Sequence, residues 1–143
     1  MNGLETIGVK GELIMEIQLD KTIGIQKVLN DMKDKKIPIR TAYKMAQFSE
    51  ELDKKVHFFE DKMKQIIERY SEKTEEGTPK VLEDGKSIQI KSDCIEQCQK
   101  EIFELSTLLI DINEYEFTLE ELDKLELSIE DLKNLMPFIK DKE

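Results

Sequence analysis

Between Ile39 and Tyr70 the apolar residues fall at Ala42, Met45, Leu52, Val56, Phe59, Met63, Ile66 and Tyr70. With Ser49 filling the one gap, the steps alternate between three and four. That is the seam of a helix packed lengthwise on another helix, near the 3.5-residue period of a coiled coil. Charged residues such as Glu50, Asp53, Lys54, Glu60 and Lys64 lie between the seam positions, and no Gly or Pro follows Pro38 within the run. The predicted helix is roughly 45–50 Å long at 1.5 Å per residue, so it needs a long partner.

A second seam supplies one. Ile95, Cys98, Ile102, Leu105, Leu109 and Ile112 repeat the same steps. The spacing predicts an antiparallel helical hairpin, Arg40–Lys73 against Asp93–Ile112, with the second helix covering about the C-terminal two thirds of the first. Between them, Lys80–Lys91 places Asp84-Gly85 between two short apolar runs, the pattern of a β-hairpin at the tip.

Outside the hairpin the periods shorten. Met15, Ile17 and Leu19 alternate as in a strand, and Ile25, Val28, Leu29 and Met32 predict a short helix over about Thr22–Lys35, ended by Ile37-Pro38. This helix, or another copy of the protein, has to cover Ala42–Ser49. Ile110–Phe117 also reads as alternating, which suits a strand pairing with Met15–Leu19 in a small sheet at the base. Thr118-Leu119-Glu120-Glu121 and, less well, Ser128-Ile129-Glu130-Asp131 resemble capping boxes and open two short helices; Pro137 ends the second, and the last residues are expected to fray. The expected fold is therefore mostly α (α+β): a long-helix hairpin with a β-hairpin at its tip, a small sheet at its base and short C-terminal helices. Residues 15–143 form its single domain.

Within residues 1–14, Met1–Glu12 shows no strong periodicity. Lys10-Gly11-Glu12 ahead of Met15 is what a ribosome-binding sequence before a start codon would encode, so these residues are read as an upstream leader or a mis-assigned start.

Charge narrows the function. The 143 residues are 38% hydrophobic and 38% charged, with a net charge of −10, a balance that suits long exposed helices. An acidic chain is repelled by phosphate backbones, so direct nucleic-acid binding is not expected. No apolar run approaches the length that crosses a bilayer, and the first residues carry no basic region followed by an apolar stretch. A cytoplasmic location is the expectation.

Candidate chemistry is sparse. Cys94 and Cys98 stand one helical turn apart, and with the single histidine, His57, and Glu101 or Asp61 they would make a tetrahedral metal set. Cys98 also falls in the seam, where a cysteine behaves as a small hydrophobe, and this is the preferred reading. A Cys–His nucleophile lacks an orienting Asn or Asp in context. The scattered glycines make no phosphate loop, and there are two arginines, Arg40 and Arg69, to clamp a phosphate. No catalytic residue, metal or cofactor is assigned.

Two features suit a protein partner. From Asp111 to Glu143 there are eleven Asp or Glu and four Lys, so Glu120, Glu121, Glu130 and Asp131 are either the solvated faces of short helices or a surface for a basic partner. Phe48 and Phe58 lie off the seam of the first long helix, which gives it a second apolar face. That face packs against the N-terminal helix or joins copies of the chain into a homo-oligomer.

The order Met15-Glu16-Ile17-Gln18-Leu19, Lys36-Ile37-Pro38-Ile39-Arg40-Thr41-Ala42-Tyr43-Lys44, Glu68-Arg69-Tyr70, the Gly-containing hairpin, and Leu119-Glu120-Glu121-Leu122 with Leu125-Glu126-Leu127-Ser128 resembles a group of small phage and prophage proteins of low-GC Gram-positive bacteria. The likeness spans Met15 to about Ile139. It implies a viral origin and a start at Met15, and it carries no site residues. The expected function is that of a non-enzymatic phage accessory protein that binds a host or phage protein, as an assembly helper or an inhibitor of a host or defence factor. The alternative is a homo-oligomer that binds a small ligand, such as a nucleotide signal, between subunits.

Overall fold

The computed structural model describes residues 6–7 and 13–140. The expected leader falls mostly on residues 1–5 and 8–12, and the expected frayed end on residues 141–143, outside the described residues. The elements in order are β1 (Thr6–Ile7), β2 (Leu13–Gln18), α1 (Lys21–Met32), α2 (Ile39–Tyr70), α3 (Ile95–Ser106), β3 (Leu109–Asn113), α4 (Leu119–Asp123) and α5 (Ile129–Leu135), followed by a 3-10 turn at Met136–Phe138.

α2 is the axis. Pro38, with φ −55° and ψ 144°, cannot continue a helix backwards but delivers its carbonyl to the Ala42 amide at 2.9 Å. After thirty-two helical residues Ser71 turns extended, its hydroxyl donating to the Glu68 carbonyl at 2.8 Å. The seam positions Met45, Leu52, Val56, Phe59 and Ile66 are buried as their spacing requires. α1 buries Ile25, Val28, Leu29 and Met32; its Leu29 and Met32 share the core with Met45 of α2 and lie across a small cleft from Ala42 and Ser49. The cover needed there comes from within the chain.

After the tip, the chain returns antiparallel to α2 over nearly its whole length, though only the first part of the return is helical. Arg69 and Tyr70 meet Glu101 of α3. The Glu51 carboxylate accepts from the Asn113 amide (3.0 Å) and the Tyr115 hydroxyl (2.8 Å). Lys44 donates to the Glu116 carbonyl (2.5 Å), and Thr41 to Glu121 (2.7 Å).

The second helix is thus shorter than its seam predicted. Thr107 donates both its amide (3.0 Å) and its hydroxyl (2.8 Å) to the Phe103 carbonyl and ends α3. Leu109 and Ile112, assigned by spacing to the helix, lie in β3, because β2 offers a pairing edge that the helical option lacks. β3 pairs antiparallel with β2, Met15 opposite Ile112 and Ile17 opposite Ile110, as the alternating reading of this stretch expected. Ile112 is buried while Leu109 is 58% exposed, the outcome of period two rather than 3.5. On the other side of β2, β1 pairs Thr6 with Ile14 and Ile7 with Leu13.

The tip is also less regular than a β-hairpin. Isolated bridges join Ser71 to Ile90, Lys73 to Pro79 and Val81 to Ile88. Two tight turns interleave them, each with its glycine at positive φ: Gly77 at 85° and Gly85 at 74°. The Asp84 carboxylate accepts from the amides of Lys86 (2.9 Å) and Ser87 (2.8 Å) and from the Ser87 hydroxyl. These bonds, the Ser87 hydroxyl's first, lower the Asp84 pKa to about 2.

At the base, Thr118 forms a full capping box with Glu121, whereas Ser128 caps through the Asp131 amide alone. Phe117 bridges in parallel to Ile139, which ties the C-terminal segment to the core. α5 packs closely on α1 at Gly24, where a Cβ would stand 2.8 Å from the Asn134 side-chain oxygen.

Candidate interaction surface

The second apolar face of α2 is mostly used up inside the molecule. Phe48 is fully buried. Its ring stacks on Tyr115 with centroids 4.4 Å apart, packs tilted on Phe138 at 4.7 Å, and lies 6.2 Å from Phe117. Phe48 is therefore corrected from a partner-binding residue to the centre of the core. The three rings that bury it come from the tail, 67 to 90 residues later in the chain, so their approach left no mark in the local pattern.

The acidic residues separate in the same way. Glu121 accepts from Thr41, from the Thr118 amide at 3.0 Å, and from Lys44 at 3.1 Å. Burial pushes the Glu121 carboxyl up, but the Thr41 and Thr118 hydrogen bonds and the Lys44 ammonium outweigh it and hold the carboxyl below its usual range. Glu121 is a clasp between α4 and α2. Its neighbour Glu120 is exposed. Glu130 is exposed and Asp131 half-buried on α5, where both add to the field that Asp31 chiefly supplies in raising the Lys27 pKa. The two acidic pairs thus sit on different helices against different neighbours. Phe58 is 43% exposed, with the Lys62 ammonium 5.8 Å from its ring.

Cys98 is buried, and burial raises its thiol pKa. His57 is exposed and pairs with Asp61 at 3.4 Å on its own helix. Glu101 is engaged by Arg69 and Tyr70. Among the described residues no three His, Cys, Asp or Glu stand close enough together to hold a metal ion, and no helix is long and apolar enough to cross a membrane.

The surface offers instead an apolar groove that sequence reading missed. Ile23 of α1, Phe59, Met63 and Ile67 of α2, and Ile88 of the tip line a space of about 370 Å³, with Glu60 and Lys64 on its rim. Ile23 is 40% exposed there. The groove lies where the first turn of α1, the C-terminal half of α2 and the tip come together. Three elements distant in sequence build it, so only Phe59 and Met63, as seam positions, carried any signal. A further exposed aromatic, Phe103, stands five residues from buried Cys98 on α3, about 140° around the helix at 100° per residue. No protein-family model, curated protein or solved structure matches the chain.

Proposed function

We propose that the protein is a non-enzymatic phage accessory protein that works in the cytoplasm of a bacterial host by binding another protein, as an assembly helper or an inhibitor of a host or defence factor. The observation that carries this reading is the groove of Ile23, Phe59, Met63, Ile67 and Ile88. Apolar side chains gathered in one exposed groove suit the apolar anchors of a partner's helix or loop. The groove suits a nucleotide poorly. Its charged lining is one Glu and one Lys, and a phosphate calls for several converging donors.

The test is affinity capture from phage-infected Gram-positive cells with the full chain and with an Ile23→Asp/Met63→Lys variant whose melting curve is unchanged. The reading requires one protein that binds the native chain saturably and is lost with the variant. Recovery of the same proteins by both chains, or of none above background, contradicts it.

A further inference from the structure

Ile39 and Ile129 are the two most exposed large hydrophobic side chains among the described residues, at 83% and 77%. Each is the first residue of its helix, Ile39 of α2 and Ile129 of α5. Their settings are opposite in sign. The segment from Lys33 to Arg40 carries Lys33, Lys35, Lys36 and Arg40 with one acid, Asp34, a local charge of +3 on a chain of net −10. All five are exposed. Tyr43, one helical turn on from Ile39, is 66% exposed beside them. The segment from Asp123 to Asp131 carries Asp123, Glu126, Glu130 and Asp131 with one base, Lys124, a local charge of −3. The two segments adjoin. The Lys35 ammonium donates to the Leu125 carbonyl, and Thr41 of α2 holds Glu121 of α4.

We propose that these two segments form one self-complementary surface, and that its partner is a second copy of this chain in a closed two-fold dimer. A two-fold interface brings the same surface of both copies together, so that surface has to contain its own complement. Here the basic segment of one copy, with Ile39 and Tyr43, meets the acidic segment of the other, with Ile129. The axis repeats the contact once. Equal and opposite local charges face each other across each contact, and both isoleucines leave water there. The net charge of −10 on each copy repels the other, which disfavours orientations that do not set the basic segment against acid. The contact uses none of the residues that line the apolar groove, so its failure leaves the reading of the groove standing.

Analytical ultracentrifugation of the full chain over a range of concentrations tests this, with charge-reversed variants beside it. The native chain should reach twice the 16.8 kDa mass of one copy and stop there. Lys36→Glu/Arg40→Glu makes both segments acidic, and Glu126→Lys/Glu130→Lys makes both basic. Each variant alone should need on the order of 100-fold more protein to pair. Mixed one to one, the two should pair with each other at the concentration the native chain needs, which a folding defect in either would prevent. If a reversal unfolds its chain, Ile39→Ser and Ile129→Ser should each weaken pairing about tenfold or more. A monomeric native chain overturns the proposal. So does a dimer that the substitutions leave intact, and so does a mixture of the two folded reversed chains that stays monomeric. A native mass that keeps growing with concentration also overturns it, because head-to-tail contact does not close.

Discussion

The two halves of α2 are built of the same kind of residues and held in different ways. The N-terminal half, Ile39 to about Asp53, is enclosed by α1, the sheet and the tail. Met45, Phe48 and Leu52 join one core with Met15, Ile17, Val28, Ile112, Phe117, Leu125, Leu135 and Phe138. The C-terminal half is covered by α3 and the tip, with only Ile23 of α1 reaching it, at the groove. Its buried residues are Val56, Phe59 and Ile66, α3 adds Cys98 as its one buried residue, and the closing clasp is the exposed Arg69 with Glu101 at 2.7 Å. A continuous hydrogen-bonded helix therefore joins a thick core to a thin one. Helices this long owe most of their stability to tertiary packing, so the two halves should differ in local stability, and the apolar groove lies in the weaker half.

The largest expected effect is at the thick end. Phe48→Ala removes a ring enclosed by three others and should cost about 3–5 kcal/mol in chemical denaturation, enough to leave much of the chain unfolded at 37 °C. A cost below about 1 kcal/mol would show that the rings do not hold the tail. Ile66→Ala, in the thin half, should cost about 2 kcal/mol. It should loosen α3 and the tip, read by limited proteolysis between residues 71 and 94, and leave the base intact. Loss of the whole fold at this position would erase the distinction between the halves.

Glu121→Gln should cost about 1–2 kcal/mol near neutral pH, because it weakens charge-assisted bonds to Lys44 and Thr41. The folded Glu121 carboxyl is held below its usual range. Its contribution is therefore complete above the ordinary carboxylate range and is lost as pH falls through the lowered value. The gap between native and variant melting temperatures should close on acidification; a gap that widens contradicts the clasp. The smallest effect belongs to Asp84→Ala. The melting temperature should not move, while the amides of Lys86 and Ser87 exchange faster. In the native chain the Asp84 carboxyl should titrate near 2 by NMR.

The same contrast explains what the sequence made legible. The start and course of α2 follow from an unbroken seam after Pro38, but the helix ends at Tyr70 rather than at the expected Lys73, because Ser71 and Lys73 bridge to Ile90 and Pro79. The alternation of β2 and the Thr118 capping box are likewise local patterns with one good solution. The end of α3 was not legible, because Ile112 satisfies both the helical and the strand period, and only the presence of β2 decides between them. The burial of Phe48 depends on Tyr115, Phe117 and Phe138 arriving from the tail. The role of Glu121 as an N-cap partner could be read from Thr118, but its pairing with Thr41 and Lys44 could not. The groove is the least legible feature, since it is a gap between elements that the linear pattern describes one at a time.

The most direct measurement is native-state hydrogen exchange along α2 in low denaturant. The account predicts two blocks within one helix: amides from about Met45 to Asp53 opening only with global unfolding, and amides from about Phe59 to Ile66 opening at a lower free energy together with α3. A single opening free energy from Met45 to Ile66 would contradict it.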